Sequence, residues 1–411
     1  MADKPQDVVI IGGGIGGSAL AGYLASGGLK VTVLEQLESF SDRVRGEWMA
    51  PWGVAEAQRI GLYEPFMAAG GHHLTHSIGY DEALPQEVAE AAQMDLGAIL
   101  PGVPGPLCLE HVIMQNTAME TARRAGAEVL RGVSRVTFTA GDHPSVFFEH
   151  AGAAREVRCR WIIGADGRSS TVRRQLGFSL HEDPLDHLIV GLLLDGAHDW
   201  PENRQSVGKF GDIHYLVFPQ GKGKVRIYAD YAYQGQARFN GENGAQQLLQ
   251  AFDLPAVPNS KAIASGRPIG PCRSFPSQDA WVDDPVRQGV TLIGDAAGYN
   301  DPILGQGLSI TLRDVRMVGD ILRGSAEWTT ALFDDYINER KERLRRLRIT
   351  SRIATTLFAR FEPEDIARRG RIFQRIAADR SLGLLLTTAY AGPERIPSRL
   401  FTDESVAALV A

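Results

Sequence analysis

The uncharged run from Val8 to Leu29, in which eight of 22 residues are glycines, restricts the fold of this chain more than any other feature. The run is long enough to cross a bilayer, but so many glycines make a poor apolar helix, and no basic segment precedes it. Residues 8–11 suit a buried parallel strand, 12–17 a tight loop, 18–26 a closely packed helix and 31–34 a second strand. We therefore predict a strand, turn, helix and strand, and no membrane span.

The loop of this unit has a spacing that suits a dinucleotide. Residues 12–17 read Gly-Gly-Gly-Ile-Gly-Gly, which contains the pattern G-x-G-x-x-G. One glycine of that pattern makes the turn, one lets a pyrophosphate approach the backbone, and one lets helix and strand pack closely. Glu35 ends the second strand 18 residues after Gly17, near the position where an acidic residue holds a ribose hydroxyl. The predicted cofactor-binding residues of this unit are Gly12, Gly14, Ile15, Gly17 and Glu35.

Two later segments also lead from a strand through a turn into a helix. The first, residues 160–174, contains Asp166-Gly167, and the second, residues 291–309, contains Gly294-Asp295. With the glycine loop and Arg43-Val44-Arg45-Gly46, they resemble the fingerprints of the FAD-dependent monooxygenases of the p-hydroxybenzoate hydroxylase fold. These are the single-component class A flavoprotein hydroxylases, with an FAD-binding domain of the glutathione reductase type. The resemblance covers about residues 7 to 325 and rests on the joint order and spacing of the motifs.

The resemblance implies FAD as cofactor and NADH or NADPH as co-substrate. The FAD is expected to be non-covalent, because no distinctive His or Cys attachment motif is present. Asp295 is expected to accept a hydrogen bond from a ribityl hydroxyl, and Arg45 to meet the pyrophosphate or adenosine side. The helix that follows Gly305 and Gly307 is expected to point its positive end at the flavin pyrimidine edge.

Other cofactor contacts are less specific. Asp166 suits a ligand contact and a helix N-cap about equally well. His111 stands where the family tends to place an arginine, and contact with FAD and an ordinary surface position are equally open. The resemblance also implies cofactor contacts from Val133 and Leu308.

The motif around residue 301 departs from the usual pattern. Many family members carry a histidine after Gly-Asp-Ala-Ala, whereas this chain has Gly298. Asp301-Pro302 resembles the corresponding motif of the related geranylgeranyl reductases and flavin halogenases. The spacing of Trp48 and Trp52 does not match the halogenase motif. An FAD-dependent reductase or dehydrogenase acting on an alkene therefore remains an alternative, and a non-catalytic flavin-binding sensor is another.

Substrate residues are expected between the second and third fingerprints. Residues 189–194 and 206–233 show strand-like alternation, which predicts an antiparallel sheet. In the family such a sheet covers the flavin ring and forms the substrate pocket, and the backbone of a residue at the position of Pro302 lies beside the reacting oxygen. Ordinary sheet aromatics are the competing interpretation. The pocket candidates are His214, Tyr215, Tyr228 and Tyr231, and the predicted catalytic residues are Pro302, Tyr215 and His214.

Composition excludes several other classes of protein. The three cysteines are far apart in sequence and form no C-x-x-C pair, which disfavours a disulfide framework or a thiolate zinc site and fits the cytoplasm. His72, His73 and His76 lack an accompanying ligand at metal-binding spacing, so no metal is expected. Residues 339–380 are strongly basic, but apolar residues recur among them at helical spacing. They predict packed helices with a solvated face, and no nucleic acid is expected as partner.

The predicted architecture is α/β, with a Rossmann-like FAD-binding domain interleaved with a β-rich substrate domain and followed by C-terminal helices. The FAD-binding domain is expected at residues 1–70, 101–180 and 275–335, the substrate domain at 71–100 and 181–274, and the helices at 336–411. The predicted function is hydroxylation of a small aromatic or polyketide-like substrate with O2, through a flavin C4a-hydroperoxide. The protein is expected to be a monomer or homodimer.

Overall fold

The computed structural model describes residues 5–44, 46–82 and 84–410 and, within these ranges, contains 22 strands and 13 α-helices. The strands are β1 (Gln6–Ile11), β2 (Val31–Glu35), β3 (Trp48–Met49), β4 (His72–His73), β5 (His76–Ile78), β6 (Met94–Asp95), β7 (Leu107–Cys108), β8 (Glu128–Arg131), β9 (Ser134–Thr139), β10 (Ser145–His150), β11 (Ala153–Gly164), β12 (His181–Glu182), β13 (His187–Asp195), β14 (Arg204–Phe210), β15 (Ile213–Gly221), β16 (Lys224–Ala232), β17 (Arg267–Pro268), β18 (Arg273–Ser277), β19 (Ala280–Trp281), β20 (Val286–Arg287), β21 (Val290–Leu292) and β22 (Gly298–Tyr299). The helices are α1 (Ile15–Ser26), α2 (Pro51–Arg59), α3 (Tyr63–Ala68), α4 (Gln86–Ala91), α5 (His111–Arg124), α6 (Thr171–Gln175), α7 (Gly244–Ala251), α8 (Ser260–Ala264), α9 (Gly307–Gly324), α10 (Asp334–Phe358), α11 (Pro363–Ala378), α12 (Leu384–Ala391) and α13 (Asp403–Val410). Arg45, one of the predicted FAD residues, lies outside the described residues.

The first sheet has the strand order β20-β21-β11-β1-β2-β8, and the hairpin β9-β10 continues from β11. Its strands β21, β11, β1, β2 and β8 are parallel. Strands β1, β2 and β21 and the end of β11 carry buried apolar runs because both faces of the sheet are covered there, one of them by α1, α5 and α9. Ile11, Gly164 and Leu292 share one register level, so the carboxyl ends of β1, β11 and β21 lie side by side. The strand, turn, helix and strand predicted from residue 8 onward is confirmed.

The second sheet has the strand order β17-β13-β16-β15-β14-β5-β6, with β18 also paired to β13. Strands β13 to β16 are antiparallel, as predicted, and β5 runs parallel to β14. Side chains alternate between the two faces of such strands. One face packs in an apolar layer on α7 and α8. The alternate residues of the same strands lie on the opposite, inner face; on β15 these are His214, Leu216 and Phe218.

The two sheets interleave in sequence, as the predicted α/β architecture requires. The predicted domain bounds remain a proposal, with one change. Because β18 at residues 273–277 pairs with β13 of the second sheet, we move the end of the substrate domain from residue 274 to residue 277. None of the helices in the described ranges combines the length and apolar character that crossing a bilayer requires.

The C-terminal helices differ from the expected helix with one solvated, basic face. On α10, Arg340 and Arg343 are buried, and both bind the buried carboxylate of Asp314 on α9. Arg340 also donates to the carbonyl oxygens of Gly294, Ala297 and Gly298. Part of the basic stretch therefore holds the loop after β21 in place. Sequence reasoning missed this role because it depends on a contact between residues far apart in the chain.

Candidate active site

A cavity of about 580 Å³ lies between the strand ends of the first sheet and the inner face of the second. We call the side formed by residues 14–16, 165–169, 293–295 and 302–308 the loop wall. We call the side formed by the inner face of the second sheet the sheet wall; its cavity residues are Ile189, Gln205, Val207, His214, Leu216, Phe218, Tyr228 and Phe275. Leu386, Ala389 and Tyr390 of α12 also contact the cavity.

The glycine loop exposes backbone at the loop wall. Among the described residues, a Cβ atom on Gly14 would meet nothing within 4 Å, and no side chain caps the amino end of α1. Gly12 and Gly17 lie behind the loop: a Cβ on Gly17 would come within 1.9 Å of the Gly12 carbonyl oxygen. The free amides at the start of α1 form a site suited to an anion such as a pyrophosphate.

Glu35 supports this loop from the end of β2. It is buried, its Oε2 accepts the Gly13 amide at 2.7 Å, and its Oε1 accepts the Leu37 amide at 2.8 Å. Each carboxylate oxygen can accept a further hydrogen bond. Glu35 therefore orders the loop and retains capacity to bind a hydroxyl.

Asp166 serves the structural role that its sequence allowed. Its Oδ2 accepts the Thr171 and Val172 amides at 2.6 and 3.2 Å, at the start of α6. Its Oδ1 is buried and has no hydrogen-bond partner in the described part of the chain, and Asp166 lines the cavity. Capping and ligand contact are thus compatible at this residue.

The third strand-end loop places Asp295 and the start of α9 on the cavity. Asp295 forms an ion pair with Arg168, with 3.4 Å between Oδ2 and Nε. Gly305 has φ +68°, a left-handed conformation that favours glycine, and a Cβ there would approach the Trp48 ring to 2.9 Å. Within the described part of the chain no side chain caps α9, so its amino end offers amides to the cavity.

A buried carboxylate fixes this third loop. Asp314 accepts the Gly294 amide at 2.9 Å and pairs with Arg340 and Arg343 at 3.0 and 2.7 Å. Burial would raise the pKa of Asp314, but the two guanidinium groups lower it. The ionised carboxylate thus ties the loop to helices α9 and α10.

The four predicted pocket candidates are divided between the two faces of the second sheet. His214 and Tyr228 line the cavity, whereas Tyr215 and Tyr231 lie in the apolar layer on the other face. The Tyr215 hydroxyl is 3.2 Å from Ser206 Oγ and donates to the Tyr80 carbonyl oxygen. His214 and Tyr215 lie on opposite faces because they are neighbours on β15, and the side chains of a strand alternate between its two faces. We therefore withdraw Tyr215 from the predicted catalytic residues.

His214 belongs to a buried polar chain behind the cavity. Its Nδ1 is 2.7 Å from Asp230 Oδ2, and its ring stacks on Phe358. His187 lies between Asp230 and Asp301, with Nε2 at 3.6 and 3.5 Å from their oxygens. Burial would lower the pKa of His187, but Asp301 and then Asp230 raise it to about 9. His187 is therefore a buried cation between two carboxylates at neutral pH.

A second polar group lies around Glu47, the residue before β3. Arg226 pairs with Asp42 and Glu47 at 2.9 and 2.8 Å, and the Tyr228 hydroxyl donates to Glu47 Oε2. Burial, and then the Glu47 carboxylate, raise the pKa of Tyr228 well above its usual value. Tyr228 is therefore a neutral hydrogen-bond donor.

The structure brings ten of the described, predicted site residues to the cavity: Gly14, Ile15, His111, Asp166, His214, Asp295, Pro302, Gly305, Gly307 and Leu308. Five others do not line it: Gly12, Gly17, Glu35, Val133 and Tyr215. Val133 is buried in the core and donates its amide to the Glu35 carbonyl oxygen, so its place is structural. His111 Nδ1 lies 3.2 Å from the Gly46 carbonyl oxygen.

Sequence reasoning missed several residues of the cavity, including Glu47, Asn300, Gln306 and Tyr390. Gln306 accepts the Trp52 indole N–H at 2.8 Å and donates to the Ala389 carbonyl oxygen at 3.0 Å. A polar residue between two glycines at a helix start was a usable signal for Gln306. No sequence signal pointed to Tyr390, which reaches the site from α12.

The loop wall fits FAD in its donors and acceptors. Gln115 Oε1 and Asp166 Oδ1 are buried at the cavity without a hydrogen-bond partner among residues 5–44, 46–82 and 84–410. Buried polar atoms of this kind are normally satisfied, and hydroxyls of a ribityl chain or ribose would satisfy them. Two uncapped helix starts add donors for phosphate and for the flavin edge.

Comparison with known proteins agrees with this site. The model of a family described as FAD binding domain matches residues 6–350. The chain belongs to this family. Its fold is that of the flavoprotein monooxygenases, since the solved structure of p-nitrophenol 4-monooxygenase from Pseudomonas putida superimposes with a TM-score of 0.78 at 20% identity, covering 95% of this chain and 99% of that one.

The curated relatives of this FAD-binding chain include both oxygenases and reductases. Squalene monooxygenase of Mus musculus is 23% identical over 80% of this chain and 56% of its own length. Menaquinone reductase of Mycolicibacterium smegmatis is 24% identical over 80% and 81%. The 6-methylpretetramide 4-monooxygenase of Streptomyces rimosus is 27% identical over 87% and 63%. The prediction of an FAD-dependent oxidoreductase is thus confirmed at the level of the family.

Proposed function

We propose that this chain is a monooxygenase that takes electrons from NADH or NADPH and hydroxylates a small aromatic or polyketide-like substrate with O2. The observation that carries the proposal is the cavity of about 580 Å³, in which the loop wall faces a largely apolar sheet wall with few polar groups. A planar substrate held between FAD and this sheet would be shielded from bulk water, as oxygen transfer from a reduced flavin requires.

The loop wall supplies the groups that would hold FAD. The start of α1 would take the pyrophosphate and Asp295 a ribityl hydroxyl, and Glu35, at the end of β2 behind this wall, would take a ribose hydroxyl. The start of α9 would face the pyrimidine edge, where its dipole favours negative charge. Arg45 keeps its predicted contact as part of this proposal. When bound, FAD supplies hydride acceptance from the nicotinamide, reaction with O2 and transfer of one oxygen atom.

The chain's own side chains would position the substrate. The Asp301 carboxylate accepts the Ile303 amide at 2.9 Å and so fixes the turn that carries Pro302. Pro302 and His214 both line the cavity, one on the loop wall and one on the sheet wall. We propose that the substrate contacts both residues.

Labelled oxygen tests this function. Purified protein loaded with FAD should consume NADH or NADPH, and its substrate should gain one atom of label from 18O2. Rapid mixing of the reduced enzyme with O2 tests the predicted C4a-hydroperoxide by its absorbance. Release of hydrogen peroxide alone across a broad aromatic panel would contradict hydroxylation.

The second candidate is an FAD-dependent reductase of an alkene. It is favoured by Asp301-Pro302 and by the menaquinone reductase relative, whose alignment covers most of both chains. Anaerobic saturation of an alkene-bearing compound with NADH or NADPH would replace the hydroxylase proposal by this one. A flavin-binding sensor would oxidise neither nicotinamide with any compound of either panel.

A further inference from the structure

Two further polar side-chain atoms of cavity-lining residues have no hydrogen-bond partner among the described residues. They are Nε2 of His214 and Oδ1 of Asn300, both buried and unpaired within the part of the chain that the structure describes. Both residues line the cavity, and their side chains are about 2% and 6% exposed. A buried acceptor that stays unpaired costs free energy, so such atoms are normally satisfied. Their position indicates that a ligand supplies the donors.

The hydrogen bonds of His214 define which of its nitrogens accepts. Nδ1 is 2.7 Å from the Asp230 carboxylate, which accepts only, so Nδ1 carries the proton in the neutral ring. Nε2 is then the acceptor. Phe358 lies 4.9 Å from the imidazole, centroid to centroid, at an interplanar angle of 19°, and this stacking fixes the ring plane.

The amide of Asn300 is oriented in the same way. Its Nδ2 donates to Asp279 Oδ1 and, at 2.9 Å, to Ser351 Oγ. Asp279 Oδ1 also accepts the Asp301 amide at 2.9 Å, which confirms it as an acceptor. The Asn300 carbonyl oxygen is therefore the atom that remains for a ligand.

One buried chain supports both acceptors. His187 bridges Asp230, the partner of His214, and Asp301, whose amide binds the Asp279 carboxylate that holds Asn300. The acceptors are thus held by side chains that already have partners, and neither can turn away without breaking a contact. Around them the sheet wall is apolar, with Leu216, Phe218 and Phe275.

We propose that His214 and Asn300 are specificity-determining residues that select a planar aromatic ligand carrying hydroxyl or amino donors. A hydrocarbon of the same shape would leave both acceptors unpaired and would be rejected. The proposal rests on the proposed function for the identity of the site, and it adds the chemical group that the site requires. His187 acts as a positioning residue, because it contacts Asp230, the partner of His214, and Asp301, next to Asn300, and does not line the cavity.

A set of matched ligands tests this selection by binding alone. FAD-loaded protein is titrated by calorimetry with 2-naphthol, naphthalene and 2-methoxynaphthalene, and with the corresponding three anthracenes. We expect the hydroxyl compounds to bind at least about tenfold more tightly than the hydrocarbons, although the hydrocarbons lose less hydration on binding. The methyl ethers should resemble the hydrocarbons, since they have no donor.

Variants separate recognition from folding. In His214→Phe the ring that stacks on Phe358 is kept and the acceptor is lost, so the preference for hydroxyl compounds should fall severalfold. His214→Gln can donate to Asp230 and present an amide oxygen, and it should restore most of the preference. Asn300→Leu should reduce the preference by itself. Flavin content and circular dichroism show that each variant is folded.

Two results would overturn the proposal: equal binding of hydroxyl compounds and hydrocarbons to the wild-type protein, or no binding by any of the six compounds. An unchanged preference in His214→Phe and in Asn300→Leu would overturn it too. If the preference for hydroxyl compounds is observed but no label from 18O2 is incorporated, only the hydroxylase function is refuted. Label incorporation without the preference would refute only this inference.

Discussion

The two walls of the cavity are built from different parts of the polypeptide. The loop wall presents mainly backbone amides and glycines, and the buried side chains of Glu35 and Asp314 support it from behind. The sheet wall presents every second side chain of its strands, because the backbone N–H and C=O groups are hydrogen-bonded to the neighbouring strands. The first wall therefore depends on the exact path of the chain, and the second on the identity of individual side chains.

This difference predicts how each wall responds to substitution. A change that disturbs the loop wall should alter folding and flavin retention together, because one set of contacts serves both. A change on the inner face of the sheet should alter ligand preference and leave the apolar layer on the other face intact. Three experiments can break or sharpen the contrast.

The largest effect is expected for Asp314→Asn. Asp314 is fully buried and binds Arg340, Arg343 and the Gly294 amide, so its neutralisation leaves two buried guanidinium groups without a full counter-charge. Breaking a buried pair in this way costs about 3–5 kcal/mol. Urea unfolding should show this loss, and flavin content should fall with it.

Asp320→Asn is the matched control, because Asp320 lies on the same helix but pairs with Arg316 at the surface. Its unfolding free energy should change by less than about 1 kcal/mol. If the two variants were equally stable, the buried Asp314 pair would not support the loop wall.

The next effect concerns the buried cation behind the sheet wall. His187 has a folded pKa of about 9 against a usual value of 6.5, so it binds its proton more tightly in the folded protein. Its stabilising contribution is complete below pH about 6.5 and disappears as pH rises through about 9. The contribution corresponds to roughly 3 kcal/mol.

His187→Gln should remove this part of the pH dependence. The difference in unfolding free energy between wild type and variant should be largest near pH 6 and shrink towards pH 9.5. The exposed His181, paired with Asp283, provides a control variant, His181→Gln, whose curve should follow the wild type. A constant difference across the range would mean that His187 is not charged in the folded protein.

How much of this could be read from the sequence also follows the contrast between the walls. The glycine loop, Glu35 and Asp295 were predictable, because a backbone site at strand ends needs glycines and acids at fixed spacing. For the sheet wall, the sequence predicted only that side chains alternate between the two faces of the strands. Without the register of β15, nothing in the sequence distinguishes the face of His214 from that of Tyr215.

Contacts across long sequence distances were not predictable at all. Asp230 meets His214 within one hairpin, but it meets His187 through the pairing of β13 with β16. Tyr390 reaches Gln205 from 185 residues away. Such groups have no local spacing rule, because their positions follow from how the sheets and helices pack.

The smallest of the three effects compares two glycines of the same loop. A Cβ on Gly17 would come within 1.9 Å of the Gly12 carbonyl oxygen, whereas a Cβ on Gly14 would meet no atom of the described residues within 4 Å. Gly14 also has an ordinary φ of −63°. Overpacking costs about 1–3 kcal/mol, so we expect Gly17→Ala to lose roughly 2 kcal/mol in urea unfolding of the flavin-free protein.

Gly14→Ala should leave that unfolding free energy within about 0.5 kcal/mol of the wild type. It should nevertheless bind FAD more weakly, since its methyl group would occupy the space at the loop wall into which the pyrophosphate must come close. Flavin titration of the two refolded apoproteins measures this directly. The pair thus separates the glycine that shapes the loop from the glycine that admits the ligand. Equal FAD affinity of Gly14→Ala and wild type would place the pyrophosphate away from this loop and remove the main support for the assignment of the loop wall.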